Sequence, residues 1–509
     1  MTDHYFEQNG LAACCTDTTV TLFWDKPAAA KAAETYTVLL DDTAVGTTCK
    51  THYRLEGLRP ETEYSLFVQW QGGGIGELTT RTTPAKRRLD VTAAPYFAVG
   101  DGRTMNTAAL QKAIDDCGAL DCVYFPAGVY LTGALRLHSD MELYLEERAV
   151  LQGTADPADY LPRIRSRFEG TEMECYSSLL NLGQLDHTVG PNCENVILRG
   201  KGTIASGGKL LATRIIETER EALKEYLAQN AALVATCENA DTIPGRVRPR
   251  LVNMSNCRNI WMEGLTFANG ASWNLHMVYS DCIVTDHCVI KSDGVWNGDG
   301  WDPDSSTNCT LFACQFCTGD DAVAIKSGKN PEGNAINRPT KHIRVFDCHS
   351  DFGHGICIGS EMSGGVEDVK IWDCDMAVST SGLEIKATRK RGGYVRNVEV
   401  WDCTLSHVMV HSVGYNDDGI GSPVPPVLED LRYERVTLLG RYIDHDHHWH
   451  ACPAIELKGF EEPGCEVKKV RFKDVVLEDN GGPTQNIQMQ HCKDVSFENI
   501  TVQSGAQPE

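Results

Sequence analysis

The sequence lacks the patterns that mark membrane-spanning and nucleic-acid-binding proteins. It contains no uninterrupted apolar run of about 18 residues, the length that a membrane-spanning helix needs, so we expect no membrane partner. Basic residues are also scarce, because 47 Lys and Arg stand against 70 Asp and Glu, which gives a net charge of -23 over 509 residues. Since nucleic-acid phosphates are bound by basic surfaces, we expect no nucleic-acid partner.

Two further signals are missing. The opening stretch MTDHYFEQNG has no basic segment followed by an apolar one, which is the pattern of a secretory signal, so we expect a cytoplasmic protein. The 21 cysteines are odd in number and form no paired CxxC motifs at zinc-ribbon spacing, which argues against a disulfide framework. The sequence gives no signal for a cofactor, and we expect none.

Residues 1–85 alternate apolar and polar side chains between turn signals, as in VTLFWDKP, TYTVLLDD and ETEYSLFVQW. This pattern predicts a small antiparallel β-sandwich. The segment resembles a fibronectin type III domain in Trp24, at the core tryptophan position, and in the LxGLxPxTxY corner formed by Leu55, Leu58, Pro60, Thr62 and Tyr64. The resemblance implies a spacer or packing module, with direct sugar binding as the alternative.

Residues 86–509 carry a recurring short pattern from about residue 193 onward, including CRNIWMEGL, NCTLFAC, KHIRVFDC and VRNVEVWDC. Copies lie 23 to 39 residues apart, which is typical of coils separated by loops of varying length. The fold class is therefore all-β, and the architecture is predicted to be a parallel β-helix, a solenoid of stacked coils. Residues 209–240 break the pattern and predict a helical excursion.

The last position of successive copies forms one column, which consists of Leu265, Cys288, Cys314, Cys348, Cys374, Cys403, Val436, Val475 and Ile500. Cysteine alternates here with aliphatic residues at one register. Because a free cysteine behaves as a small buried hydrophobe, these five thiols are predicted to form an interior ladder rather than a redox or metal site.

An acidic cluster falls on neighbouring coils. Aligning GDGWDPDS with DDAVAIKS and GHGICIGS places Asp299 under Asp321, and we expect Asp320 to lie under His354. Hydrated turn aspartates and a calcium site are the alternatives, although histidine is a poor calcium ligand. Repulsion within the cluster is expected to raise the pKa of at least one carboxyl group. Glycoside hydrolysis uses one protonated carboxyl group and one ionised carboxylate, which such a cluster can supply.

Four ordered motifs carry a resemblance to the polygalacturonase family, glycoside hydrolase family 28, across about residues 92–505. They are Asn297-Gly298-Asp299, Gly319-Asp320-Asp321, Gly353-His354-Gly355 and Glu384-Ile385-Lys386. The resemblance implies a right-handed parallel β-helix and an inverting mechanism. It implies that Asp320 is the general acid, that Asp299 and Asp321 orient and deprotonate water, and that His354 supports the acid.

The chain departs from the family pattern at two positions. Gly298 replaces a threonine, and Glu384 replaces the arginine that helps to hold a sugar carboxylate. We hypothesise that Lys386, together with Arg389 or Arg391, binds the carboxylate of a uronate. The alternative is that these residues form a solvated basic turn. The full set of predicted substrate-binding residues is Lys386, Asn297, Arg389, Arg391, Trp273 and His276.

The leading hypothesis is an exo-acting hydrolase of α-1,4-linked galacturonides, resembling bacterial members, whose partner is a pectin-derived oligosaccharide. A rhamnogalacturonan hydrolase, a calcium-dependent lyase and a non-catalytic polysaccharide-binding solenoid are the alternatives. The excursion at 209–240 is a candidate for closing the cleft or for a subunit interface, so an oligomer stays open. The segment Asp444–His450 is predicted to be a surface loop bordering the cleft, the alternative being a transition-metal site formed by its histidines, and Trp449 and Tyr415 are candidate cleft residues.

Overall fold

The computed structural model describes residues 10–31, 33–412, 419–479 and 486–504. The N-terminal strands are β1 (Leu11–Cys15), β2 (Val20–Trp24), β3 (Tyr36–Leu40), β4 (Thr43–Thr48), β5 (His52–Leu55), β6 (Glu63–Trp70) and β7 (Gly73–Arg81). The helices are α1 (Thr107–Asp115), α2 (Gly208–Ala222), α3 (Lys224–Gln229), α4 (Ala231–Val234), α5 (Thr242–Gly245) and α6 (Glu332–Ile336), with a 3-10 turn at Pro157–Tyr160. No helix among the described residues has the length and apolarity needed to cross a membrane.

The remaining strands follow in chain order. They are β8 (Arg87–Asp90), β9 (Asp101–Met105), β10 (Asp121–Phe125), β11 (Gly128–Thr132), β12 (Leu135–Leu137), β13 (Met141–Leu145), β14 (Ala149–Gly153), β15 (Ile164–Phe168), β16 (Thr171–Cys175), β17 (Leu180–Leu182), β18 (Cys193–Gly200), β19 (Thr203–Ala205), β20 (Val252–Ser255), β21 (Cys257–Glu263), β22 (Thr266–Ala268), β23 (Leu275–Val278), β24 (Asp281–Asp286), β25 (Val289–Lys291), β26 (Trp301–Asp304), β27 (Thr307–Phe312), β28 (Gln315–Cys317), β29 (Val323–Ile325), β30 (Thr340–Phe346), β31 (His349–Phe352), β32 (Ile356–Ile358), β33 (Val366–Trp372), β34 (Asp375–Met376), β35 (Leu383–Ala387), β36 (Tyr394–Trp401), β37 (Thr404–Leu405), β38 (Val408–Ser412), β39 (Val427–Glu434), β40 (Thr437–Leu438), β41 (Arg441–Ile443), β42 (Trp449–Ala451), β43 (Ile455–Lys458), β44 (Val467–Asp479), β45 (Ile487–Gln490) and β46 (Cys492–Ser504).

The N-terminal region is a β-sandwich of two small antiparallel sheets, ordered β1-β2-β5 and β4-β3-β6-β7. Trp24 and Tyr36 meet edge to face in its core, with ring centroids 5.3 Å apart. The Tyr64 hydroxyl accepts a hydrogen bond from the backbone N–H of Arg59 at 3.0 Å. A tyrosine corner of this kind is a feature of immunoglobulin-like sandwiches. The finer assignment to the fibronectin type III group stays a prediction, as does the domain boundary at residue 85.

The rest of the chain is a right-handed parallel β-helix, as predicted. Each full coil contributes one strand to each of three parallel ladders, two of which join into a 24-stranded sheet through the long strands β44 and β46. The third ladder is an 11-stranded sheet, ordered β12-β17-β20-β23-β26-β29-β32-β35-β38-β43-β45. The helices α2 to α4 fall in the segment that was predicted to be a helical excursion.

The predicted thiol ladder is confirmed by strand register. Asp286 pairs with Phe312, and Phe312 with Phe346, which places the cysteines two residues later directly above one another. Cys314 and Cys348 are each 2% exposed, and the backbone N–H of Cys288 reaches the Cys314 sulfur at 3.4 Å. These thiols therefore pack as small apolar residues inside the solenoid.

The sandwich is docked on the outer face of the solenoid. Phe312, Phe346 and Trp372 stack in parallel on successive coils, and Phe23 of β2 lies 5.1 Å from the Phe312 ring. Lys26 bridges Asp373 and Asp402, both at 2.7 Å. This apolar and ionic contact fixes the sandwich on a face that lies away from the 11-stranded sheet.

Candidate active site

The 11-stranded sheet positions the acidic cluster. Trp301, Val323 and Ile356 occupy one register and point into the core, where each is fully buried. Two residues earlier, at the start of each strand, stand Asp299, Asp321 and His354. Because successive coils stack at about 4.8 Å, this register brings together three polar side chains that are far apart in sequence.

Strand register corrects one expectation from the sequence. The pairing of Val323 with Ile356 places His354 opposite Asp321, whereas we had expected it opposite Asp320. The His354 ring nevertheless reaches both acids, with Nδ1 2.9 Å from Asp320 Oδ1 and 3.2 Å from Asp321 Oδ1. The flanking glycine at 353 is obligatory, since its φ is +131° and a Cβ there would lie 2.1 Å from the Thr318 hydroxyl.

Adjacent Asp320 and Asp321 lie in different surroundings. The Asp320 side chain is 22% exposed, while that of Asp321 is 3% exposed. Lys386 donates to both Asp321 oxygens, at 3.1 and 3.0 Å. Burial works to raise the pKa of Asp321, but Lys386 and the His354 hydrogen bond outweigh it and hold that pKa well below its usual range. Asp321 is therefore ionised, and Asp320 is the more accessible of the two carboxyl groups.

His354 is positively charged at neutral pH. Burial lowers the pKa of its imidazole, but Asp320 and Asp321 more than offset this and raise it to about 10. A proton on Nδ1 thus faces Asp320 at hydrogen-bonding distance.

Asp299 is buried beside a cation and a second carboxyl group. Its Oδ2 lies 3.1 Å from Lys326 Nζ, and the same Nζ lies 3.5 Å from Asp302. Burial is the main cause that raises the Asp299 pKa to about 7, with Lys326 opposing it and Asp320 and Asp321 adding to it. Burial, followed by the charge of Asp299, also raises the Asp302 pKa well above its usual range, so Asp302 holds a proton at neutral pH.

A hairpin formed by β15 and β16 lies over the 11-stranded sheet beside the catalytic cluster. Its Arg167 is fully buried and donates to Asp304 at 2.7 Å, while Phe168 stacks on Trp273 at 5.0 Å. The hairpin carbonyl of Gly170 accepts from Lys329 N–H at 2.9 Å. The hairpin therefore forms a wall beside the acids. The sequence repeats gave no indication of this hairpin.

This wall revises the expectation for two predicted substrate-binding residues. Trp273 is 2% exposed and His276 is 0% exposed, because the hairpin lies over them. Burial also lowers the pKa of His276 to about 4, so its ring is neutral. Both residues support the wall from below and do not present a surface to a sugar.

The basic residues predicted to hold a uronate are placed differently from one another. Lys386 is engaged by Asp321, as described above. Arg391 is 1% exposed and lies 3.6 Å from Glu361, whereas Arg389 pairs with Glu462 at 2.8 Å. Asn297 is half-buried and accepts from Arg248 at 2.6 Å. Their roles in binding substrate stay predictions.

The two departures from the motif pattern have structural explanations. A Cβ at Gly298 would lie 2.7 Å from the carbonyl oxygen of Val295, so this turn has no room for a threonine. Glu384 accepts from His411 Nε2 at 2.6 Å, and His411 follows Lys386 in the ladder register. The position of the expected arginine is therefore occupied by a carboxylate that is held by a histidine.

The Asp444–His450 segment forms the turn of the β41–β42 hairpin and borders the site. His445 Nε2 lies 3.3 Å from His354 Nε2, a contact that the sequence analysis missed. Trp449 is half-buried and lies under Arg441 at 5.7 Å, while Tyr415 falls outside the described residues.

Ligand atoms of Asp320, Asp321 and His354 all lie within 4.8 Å of one another, a spacing that suits a cation. Lys386 and the imidazolium of His354 already supply two positive charges to this cluster. The arrangement therefore fits proton transfer better than metal binding.

Comparison with known proteins agrees with this site. A model described as glycosyl hydrolases family 28 matches residues 183–417. A probable polygalacturonase from Vitis vinifera is 32% identical over 380 residues, which cover 71% of this chain and 71% of that protein. An exo-poly-alpha-D-galacturonosidase from Dickeya chrysanthemi is 26% identical over 489 residues, covering 89% of this chain and 79% of that protein.

A solved structure, the family 28 exopolygalacturonase of Yersinia enterocolitica, shares the fold with a TM-score of 0.81 at 22% identity, covering 98% of this chain and 96% of that one. Together with the acid cluster, these similarities show that the chain belongs to family 28 of the glycosyl hydrolases and is a glycoside hydrolase.

Proposed function

We propose that the protein hydrolyses α-1,4-galacturonosyl linkages in pectin-derived oligogalacturonides, with inversion at the anomeric carbon and from the chain end. The observation that carries this proposal is the unequal treatment of Asp320 and Asp321. One carboxyl group is accessible and faces a proton on His354, and its neighbour is ionised by Lys386. A carboxyl group that a substrate can reach, beside a buried carboxylate that is held ionised, suits the two roles that glycoside hydrolysis requires.

In this mechanism, Asp320 protonates the glycosidic oxygen as the bond to the leaving sugar breaks. Solvent returns a proton to Asp320 after the products leave, and His354, whose Nδ1 lies 2.9 Å from Asp320, orients the carboxyl group. Asp299 accepts the proton of a water molecule that attacks the anomeric carbon from the opposite face, and Asp321 orients this water. Inversion requires that the acid and the base stand far enough apart to admit that water, which is roughly 6.5 to 9.5 Å.

Exo action is supported by the β15–β16 hairpin. Arg167 anchors it to Asp304, Ser166 anchors it to Asn253 at 2.8 Å, and Glu169 ties it to Arg246 at 2.9 Å. A wall that is fixed at three places beside the acids limits the space on that side, and we expect it to admit a chain end rather than a continuous polymer. The relative from Dickeya chrysanthemi has an exo-acting name, which agrees with this reading.

The test is a product time course on a defined galacturonide hexamer, followed by proton NMR of the first product. We expect monomer from the earliest time point, in the anomeric form opposite to that of the substrate. Early release of mixed oligomers would refute exo action, and retention of configuration would refute the inverting assignment.

Asp320→Asn tests the acid. We expect kcat to fall by about 10²–10⁴, the usual contribution of a general acid. Asp351→Asn, which alters an exposed carboxylate on β31, is the matched control and should retain activity. If Asp320→Asn hydrolysed galacturonides at the parental rate, the catalytic assignment would fail.

The rhamnogalacturonan alternative keeps one specific observation in its favour. Glu384, held by His411, places a negative charge where the family pattern has arginine, and a carboxylate disfavours a neighbouring uronate. Assays on rhamnogalacturonan fragments alongside the galacturonide hexamer decide between the two, because monomer release from only one of them identifies the substrate.

A further inference from the structure

A buried charge cluster lies behind Asp299. Lys326, which is 4% exposed, directs its Nζ to three carboxyl groups, with 3.1 Å to Asp299, 3.5 Å to Asp302 and 3.6 Å to Glu361. The same Nζ lies 4.6 Å from the centre of the Trp273 ring, within cation–π range. Burying a lysine is costly unless its charge is paired, and these carboxyl groups supply the pairing.

We propose that Lys326 is a positioning residue that keeps Asp299 ionised, and so keeps it competent as the base of the reaction. This inference rests on the proposed function, in which Asp299 accepts the proton of the attacking water. Lys326 does not contact the substrate or the reacting atoms in this scheme, because it acts through the Asp299 carboxylate.

The fold explains why Lys326 turns to Asp299. Lys326 stacks directly on Asp304 in the ladder, which would make Asp304 its natural partner. Arg167 from the β15–β16 hairpin already forms an ion pair with the Asp304 carboxylate, at 2.7 Å. Lys326 is therefore left with Asp299, Asp302 and Glu361 as its anionic neighbours.

The charges around Asp299 support the same conclusion. Glu361 also lies 3.6 Å from Arg391, and burial, followed by the charge of Asp299, raises the pKa of Asp302. Lys326 lies 3.1 Å from Asp299, so removing its charge takes away a cation that favours the ionised form, and Asp299 then takes up a proton more readily.

The other charged groups that face Asp299 do not replace Lys326. Asp320 and Asp321 approach from the turn before β29 and favour the protonated form of Asp299. Arg248, from the segment before β20, interacts with Asp299, but its guanidinium donates to the carbonyl of Trp296 at 2.7 Å and to Asn297 at 2.6 Å. His276 on β23 is neutral, since burial lowers its pKa to about 4.

The pH dependence of hydrolysis tests this role. Lys326→Met removes the charge and keeps an unbranched side chain. We expect the ascending limb of the kcat/KM profile to move to higher pH by at least about one unit, so that kcat/KM at a pH below the limb falls about tenfold. Lys326→Arg keeps the charge and should leave the limb within about 0.3 unit of the parental position, which a purely structural role would not predict. A limb that stays in place in folded Lys326→Met would overturn the proposal.

Lys341→Met is the matched control, because it makes the same substitution at a lysine of β30 that pairs with Glu367, outside the 11-stranded sheet. The limb should stay where it is, and an upward shift equal to that of Lys326→Met would contradict a specific action of Lys326 on Asp299. If Lys326→Met does not fold, as judged by circular dichroism, Lys326→Gln takes its place with the same expectation.

A readout that does not depend on activity separates this inference from the proposed function. Infrared difference spectra follow the protonated carboxyl band during a pH titration. In Lys326→Met, one carboxyl group should titrate at higher pH than in the parent, and Asp299→Asn in that background should remove this signal. If Asp299→Asn instead retains hydrolysis while the infrared shift is present, the base assignment fails and the Lys326–Asp299 coupling stands. If the infrared signal does not move, the coupling fails whatever the activity.

Discussion

Lys386 donates to both carboxylate oxygens of Asp321, at 3.1 and 3.0 Å, although the two residues are 65 positions apart. Both side chains are nearly buried. A cation that the motif pattern assigns to the sugar carboxylate is thus engaged by a carboxylate of the enzyme itself. Its removal should affect the chemical step more than the binding of substrate.

Lys386→Met is predicted to lower kcat by about 10²–10⁴ and to change KM only a few-fold, because Asp321 then loses the cation that keeps it ionised. Steady-state kinetics on a galacturonide trimer measure both parameters. Lys390→Met, on the exposed turn of the same segment, is the control and should leave kcat unchanged. A large rise of KM at constant kcat would mean that Lys386 binds the uronate instead.

Arg167→Met is predicted to destabilise the protein by about 3–5 kcal/mol, because it leaves the buried Asp304 carboxylate without its cation. Urea denaturation at pH 7 measures the difference in the free energy of unfolding. Arg165→Met on the same hairpin breaks a pair whose arginine is 52% exposed, so it should cost no more than about 1 kcal/mol. Equal losses in both variants would contradict the importance of the Arg167–Asp304 pair.

The Arg167–Asp304 pair also predicts that the folded protein becomes less stable at acidic pH. Burial works to raise the pKa of Asp304, but Arg167 outweighs it and lowers that pKa to about 2 in the folded state. An unfolded aspartate titrates near about 3.9, so this group stabilises the fold above that pH. The contribution should be lost as the pH falls from about 4 through about 2, as measured by urea midpoints at several pH values. Midpoints that stay constant over this range would be inconsistent with a depressed Asp304 pKa.

Glu384→Arg is predicted to lower KM for galacturonides by about tenfold, since a guanidinium donates two parallel hydrogen bonds to a carboxylate. The measurement is KM on galacturonide and rhamnogalacturonan fragments for both proteins. Glu384→Gln removes the negative charge without adding a guanidinium. We expect its KM for galacturonides to lie between those of the parent and of Glu384→Arg. If KM for galacturonides rises in Glu384→Arg, residue 384 does not face the sugar carboxylate.

The thiol ladder predicts selective reactivity. Cys49 is exposed, whereas Cys314, Cys348 and Cys374 are buried in the solenoid. Burial raises the pKa of Cys314 and Cys374 well above the ordinary value, and a neutral thiol is a poor nucleophile. A thiol-specific alkylating reagent should label Cys49 in the native protein and label the ladder only in denaturant, as mass spectrometry of peptides would show. Rapid native labelling at Cys314 would contradict the interior position.

Much of the solenoid follows from the sequence because its repeats are local patterns. The column from Leu265 to Ile500 was visible as one small apolar residue at the end of each short strand, and strand register confirms it. Stacking also placed Asp299 beneath Asp321, and the ladder pairs Trp301 with Val323 as this requires. The expectation for His354 was wrong by one residue, because the ladder, like the alignment of DDAVAIKS with GHGICIGS, places it opposite Asp321 rather than Asp320.

The contacts made by loops could not be predicted in the same way. The hairpin of β15 and β16 has no repeat signal, yet it buries Trp273 and takes Asp304 through Arg167. His445 reaches His354 from 91 residues downstream. Such pairs depend on how irregular segments fold over the sheet, and nothing in their local sequence specifies the partner.

The sequence by itself determined the coil, its interior column and the set of acids on one face, because a parallel ladder turns fixed spacing into fixed neighbours. Only the tertiary structure decided which carboxyl group each cation neutralises. Lys386 goes to Asp321, and Lys326 goes to Asp299 because Arg167 has already paired with Asp304. Protonation depends on burial and on charges within a few ångströms, and these distances are set by side chains from different coils and loops meeting in space.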